Sequence, residues 1–155
     1  MSKNSFDLFS DKLTSWRNGI DKALEVKVKA RSEIIAGDAR KLCPVDTANL
    51  RNSVEGFTET GKDTITGGAV TVNEHAPFVE FGTGPVGTET GGHPLDGELE
   101  IVRKTEPWLA NIPGVGYRYV HGQPANPFMY TAMKQNEKEI MKEFGEAVKE
   151  VLGSG

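Results

Sequence analysis

The sequence holds one cysteine, no apolar run near the roughly 20 residues of a membrane span, and no excess of basic charge. Each absence excludes something. A lone Cys43 cannot form an intramolecular disulfide, which points to a reducing compartment and to a fold that needs no staple. The first residues, Met1 to Asp7, are polar and lack the apolar stretch of a secretory signal, so a soluble intracellular product is expected, with no membrane partner. Lys and Arg number 18 against 22 Asp and Glu, a net charge of -4. That is the wrong sign for a protein whose main work is gripping phosphate backbones, so no specific nucleic-acid partner is expected. There is no Gly-Lys-Ser/Thr phosphate loop, no His-Glu-x-x-His zinc motif and no internal repeat.

What is present reads as a single domain over residues 1–155, long enough to bury about 68–70% of its unfolded surface. Apolar residues recur at Phe6, Phe9, Leu13, Trp16, Ile20, Leu24, Val28, Ile35, Ala39 and Leu42, the three-and-four spacing of one helical stripe. A helix over 5–42 would extend about 57 Å, so part of it should overhang, with a bend near Gly19. Its basic residues are interleaved with Glu25, Glu33 and Asp38, the pattern of a solvated mixed-charge face. Pro44 excludes the helical region at Cys43 and ends the helix. Asp46 or Thr47 then suits the cap of a short helix that carries Leu50 inward. Segments 54–60 and 64–73, rich in Val, Ile and Thr, read as a hairpin turning at Gly61, with a bulge expected at Gly67 and Gly68.

The densest apolar cluster is His75-Ala76-Pro77-Phe78-Val79-Glu80-Phe81-Gly82-Thr83. Pro77 suits the start and Gly82 the end of a single helical turn, on which Phe78 and Phe81 share a face and should anchor together in the core. Residues 84–116 carry so many Gly, Pro and Thr that an irregular, mobile excursion is expected, followed by a short strand at 117–121. A second long helix is expected over 125–152, with Pro127 in its first turn and Phe128 and Ala132 facing inward. The class is therefore α+β, a small antiparallel sheet packed against long N-terminal and C-terminal helices.

Three groups invite a chemical reading. Gly82-Thr83-Gly84-Pro85-Val86-Gly87 has the spacing of a dinucleotide loop, but the residues after it are poor helix formers and no alternating strand and helix pattern surrounds it. His75, His93 and His121 are three imidazoles without any recognised ligand spacing. Glu80 sits among apolar residues, where a carboxylate must be satisfied; pairing with an Arg or acceptance from the Gly82–Thr83 backbone is expected rather than acid catalysis. Neither a catalytic residue, a metal site nor a cofactor is assigned. Cys43 reads as a small buried hydrophobe.

Three separated segments resemble, in order, the tail-completion or head-tail joining proteins of long-tailed bacteriophages. Cys43-Pro44-Val45-Asp46-Thr47-Ala48-Asn49-Leu50-Arg51-Asn52-Ser53 is similar to that family's Pro-Val-Asp-Thr-Gly-x-Leu-x-x-Ser segment, with Ala48 where Gly is usual. His75 to Thr83 resembles its Tyr-Ala-x-x-Val-Glu-Phe-Gly-Thr segment, and Pro127, Phe128 and Ala132 match the start of its C-terminal helix. The resemblance carries structural roles to Pro44, Asp46, Thr47, Leu50, Ser53, Ala76, Phe78, Val79, Glu80, Phe81, Gly82 and Thr83. It implies a non-enzymatic virion protein of the neck, present in the host cytoplasm during assembly. It further implies a homo-oligomeric ring, a hexamer, through which DNA passes, touching head-completion or adaptor proteins and the tail tube or terminator. Trp16, Gly84, Pro85, Val86 and Trp108 are the candidate subunit or partner contacts. The rival readings are a small metal- or nucleotide-dependent enzyme using residues 82–87 or the histidines, and a DNA-binding accessory protein.

Overall fold

The computed structural model describes residues 5–44 and 48–154, and the caps expected at Asp46 or Thr47 lie outside the described residues. The fold is α+β. In chain order it runs α1 (Ser5–Leu42), α2 (Ala48–Asn52), β1 (Val54–Thr60), β2 (Ile65–Thr71), α3 (Ala76–Phe81), α4 (Gly84–Glu89), β3 (Trp108–Ile112), β4 (Gly116–Val120) and α5 (Phe128–Gly153). The strands form two two-stranded sheets, β1 with β2 and β3 with β4. The chain divides into two compact units, one comprising residues up to 37, 55–70 and from 133 onward, the other 38–54 and 71–132.

In the first unit α1 and α5 run antiparallel. The guanidinium of Arg31 donates through Nε to Glu143 at 2.9 Å and through a second nitrogen to the other carboxylate oxygen, with Asn136 at 3.5 Å. Twelve residues back, at Gly19, an added Cβ would lie 2.9 Å from Val151 Cγ1. The helix continues through Gly19, whose missing side chain lets the end of α5 approach. Before Trp16 α1 is uncovered: every residue from Ser5 to Ser15 is exposed, with Phe6 76% and Phe9 58% accessible. The stripe that buries Val28 and Ile35 thus continues beyond the end of its helical partner.

The β1–β2 hairpin closes at Gly61, whose N–H donates to Thr64 O at 2.7 Å. β2 is continuous through Gly67 and Gly68, where a bulge was expected. Close approach explains Gly67: a Cβ there would stand 2.5 Å from Ser32 Oγ and closer still to Val28 Cγ1 on α1. Ser32 is itself buried and donates its hydroxyl to Val28 O at 2.8 Å.

The second unit is built on Ala39, Cys43, Leu50, Val54, Ala76, Val79, Phe128 and Ala132, all buried. Ser53 joins its hydroxyl to that of Thr71 at 2.6 Å, and Arg40 Nε donates to Val54 O at 2.8 Å. Residues 84–116, expected to be irregular, contain α4 and strand β3. Pro85 presets the first turn of α4, following extended Thr83. β3 pairs with β4 from Trp108↔Val120 to Ile112↔Gly116, across a turn holding Pro113 and Gly114.

Two glycine substitutions separate these packing roles. Gly67→Ala is expected to lower unfolding free energy by about 1–3 kcal/mol through overpacking against α1. Gly37→Ala, in a helix interior with nothing within 4 Å of the added carbon, is expected to raise it by about 1 kcal/mol. Urea titration of the two variants and the parent measures both signs.

Candidate functional site

α3 is one helical turn whose ends are tied down by distant parts of its unit. Pro77 stands in its first turn, and Gly82 follows it at φ 73°, ψ 171°. The positive φ expected at Gly82 is present, but in an extended rather than a left-handed helical conformation. Three of the carbonyls that this short helix leaves open find donors: Phe78 O from Gln123 Nε2 at 2.8 Å, Val79 O from Asn126 N at 2.8 Å, and Phe81 O from Arg103 at 2.7 and 2.9 Å.

Glu80 is the centre of this arrangement. It is 7% exposed, and both carboxylate oxygens are engaged. Oε2 accepts from Met129 N and Oε1 from Tyr130 N, each at 2.9 Å, in the first turn of α5. An N-cap side chain normally accepts from these two positions. Here the residue preceding α5 is Pro127, which has no side-chain acceptor, so Glu80 supplies the cap from α3. The negative charge also complements the positive end of the α5 dipole. The expected partner of Glu80 is therefore corrected: it accepts from backbone N–H groups, but those of residues 129 and 130 rather than of the Gly82–Thr83 turn.

His93 completes the cluster. Its ring is buried, with Nε2 3.1 Å from Glu80 Oε1. Leu95 N donates to Nδ1 at 3.1 Å, so the ring proton belongs on Nε2 and is donated to Glu80. Phe81 and Tyr130 flank the imidazole, with centroids at 4.5 and 5.4 Å. His93 N donates to Asp96, which also receives Arg103 at 2.7 Å. The Arg103 hydrogen bond, opposed by burial, holds the Asp96 carboxyl below its ordinary value of 3.8.

The sequence-derived sites are placed as follows. Pro44, Leu50, Ser53, Ala76, Val79, Glu80, Gly82, Phe128 and Ala132 are buried or half-buried. Phe78 is not: it is 54% exposed, so the expected joint anchor of Phe78 and Phe81 does not form. A six-residue turn gives one inward stripe, and Ala76, Val79 and Glu80 occupy it, leaving Phe81 half-buried at its edge. Among the candidate contacts, Trp16 is half-buried with Lys12 Nζ 5.0 Å from its ring, and Trp108 is half-buried with Lys104 Nζ at 4.7 Å. Pro85 and Val86 are half-buried in α4, and Gly84 is buried, which removes it from the surface.

The glycine spacing at 82–87 has a packing origin. An added Cβ would lie 2.6 Å from Ala125 N at Gly82, 2.5 Å from His121 O at Gly84 and 2.9 Å from Gly82 C at Gly87. Thr83 bonds Gln123 in both directions through the backbone, at 2.9 and 3.1 Å, holding the two segments at this distance. Of the three histidines, His93 is buried, whereas His75 and His121 are exposed; no group of three metal-ligating residues occurs among the described residues. His93 as the partner of Glu80, and the donors on α5, were missed in the sequence, since nothing local to His93-Pro94 signals a contact with Tyr130, 37 residues later.

Residues 7–82 match the family described as "Bacteriophage HK97-gp10, putative tail-component". This stretch belongs to the HK97-gp10-like family. The matched residues include α1 from Asp7 and all of α3, so Glu80 lies inside the match, whereas His93, Arg103 and the capped turn of α5 lie beyond it. No curated protein and no solved structure matches the chain.

Glu80→Ala removes the acceptor for three buried donors and is expected to destabilise the chain by about 3 kcal/mol, the sum of a lost cap and an unsatisfied buried group. Glu80→Gln keeps one acceptor oxygen and is expected to lose less; equal losses by chemical denaturation would show that the charge and second oxygen contribute nothing. For Asp96 the folded value is depressed, so its stabilisation is present above the unfolded value and fades as pH falls through the folded one. The stability gap between the parent and Asp96→Asn is therefore expected to be widest near neutrality and to close as the pH falls through the folded value, read from urea midpoints across pH.

Proposed function

We propose that this chain is a non-enzymatic structural subunit of a phage virion, acting at the junction of head and tail as a member of a homo-oligomeric ring. The observation that carries this reading is the HK97-gp10-like match over residues 7–82. Its tail-component description implies a place in the virion beside other tail proteins. The finer assignment, completion of the tail at the neck in a six-membered ring through which DNA passes, follows the three-segment resemblance. The uncovered start of α1 supports it physically, because a stripe of exposed Phe and Leu on a rigid helix is suited to burial against another chain. The net charge of -4 suits a passage along which DNA slides without being held.

The enzyme reading has less to rest on. The 82–87 glycines are accounted for by backbone packing, and α4, which follows Thr83, is only six residues long. Glu80 and His93 resemble an acid and base pair, yet every Glu80 oxygen is committed to a donor of the fold.

A phage carrying an early stop in this gene is expected to yield lysates with filled heads and separate tails, rejoined when the protein is supplied from a plasmid. Normal virions in that lysate would overturn the neck assignment. Calorimetric titration with zinc and with nucleotides is expected to show no stoichiometric binding; a micromolar one-to-one isotherm would favour the enzyme.

A further inference from the structure

Two of the apolar surfaces exposed among the described residues have complementary chemistry. The first is the start of α1, where Phe6, Leu8, Phe9 and Leu13 are 76, 58, 58 and 46% exposed. From Ser5 to Leu13 this segment carries two carboxylates, Asp7 and Asp11, and one cation, Lys12, whose Nζ lies over the Trp16 ring, so its first two turns are net acidic. The second is a cleft on the 38–54 and 71–132 unit. Two adjoining cavities, of about 310 and 440 Å³, share Phe78, Thr83 and Trp108 as walls. Val102 on its rim is 88% exposed, and the described lining residues include the cations Arg103 and Lys104 but no carboxylate.

We propose that the first two turns of α1 from one copy dock in the Phe78–Trp108 cleft of a second copy. Phe6 and Phe9, three residues apart on one face, serve as the anchors, and the acidic first turns meet the basic wall at Lys104. Helices that bind grooves use anchors at this spacing, and aromatic side chains entering desolvated pockets dominate the energies of such contacts. Opposite charge on the two surfaces favours this occupant over a like-charged one and sets its direction. It also gives a use to Phe78, which the core does not take up. Because the helix end and the cleft are different patches, the contact is head-to-tail, the kind that generates rings when the rotation closes. The inference deepens the ring reading and rests on it.

Phe9→Asp breaks the helix side and Phe78→Glu the cleft side; both residues are exposed, so circular dichroism and melting temperature are expected to stay near those of the parent. In native mass spectrometry and sedimentation velocity the parent is expected to form a closed oligomer, and each variant alone a monomer. An equimolar mixture of the two variants retains one intact helix end and one intact cleft, and is expected to give a one-to-one heterodimer and nothing larger. An oligomer that survives in either variant, or a mixture that stays monomeric, overturns the contact and leaves the ring reading standing. A parent that stays monomeric at all concentrations overturns both.

Discussion

The second unit of this protein depends on one buried carboxylate. Removing a charge from water costs several kcal/mol, and the site is tolerable only because three donors replace the lost solvent. Two are the N–H groups of Met129 and Tyr130, which would otherwise be orphaned at the start of α5; the third is the His93 ring. A single side chain thereby fixes three stretches that are remote in sequence: α3, the turn after residue 91, and the first turn of the C-terminal helix. Asn126, Gln123 and Arg103 then donate to three carbonyls of α3. A helix of six residues has little stability of its own, so its order comes from these outside bonds.

This accounts for what could be read in the sequence and what could not. The two long helices were legible because their signal is periodic and local: the α1 stripe predicted the observed bounds, and Pro44 stops it where φ/ψ exclusion requires. The start of α5 was placed three residues early because the deciding feature, a cap supplied by Glu80, is 48 residues away from Phe128. The spacing of Phe78 and Phe81 suggested a shared inward face, but geometry allows α3 only one such face and the fold gives it to Ala76, Val79 and Glu80. The dinucleotide-like spacing at Gly82–Gly87 was set aside on its sequence context, and its glycines, like Gly67, answer to backbone and side chains that arrive from elsewhere, of which one sequence carries no mark. Strand β3 was passed over because Trp108 to Ile112 gains its order from pairing with β4, not from its own alternation.

Polar groups at the centre of the second unit are nearly all spent on holding the fold, which bears directly on function. A catalytic pair needs one member free to exchange a proton with a substrate. Glu80 and His93 instead hold each other, with Nδ1 of the ring engaged by Leu95 N. Two phenylalanines in the same short stretch are then assigned opposite roles: Phe81 covers the His93 ring, while Phe78 faces outward into a cavity walled by Trp108. The motif that carries the family resemblance therefore serves the interior through Val79 and Glu80 and the surface through Phe78.

The first unit makes the complementary point. α1 keeps its apolar spacing all the way to Phe6, yet α5 ends beside Gly19, and every residue of α1 from Ser5 to Ser15 is exposed. A monomer gains nothing from such an extension, because exposed Phe and Leu add no stability and favour aggregation. A subunit that functions only in an assembly gains a preformed anchor: a rigid helix has already lost the backbone freedom that a disordered tail would lose on binding. The sequence thus specifies a helix longer than α5 covers, and leaves Phe6, Leu8, Phe9 and Leu13 exposed on it.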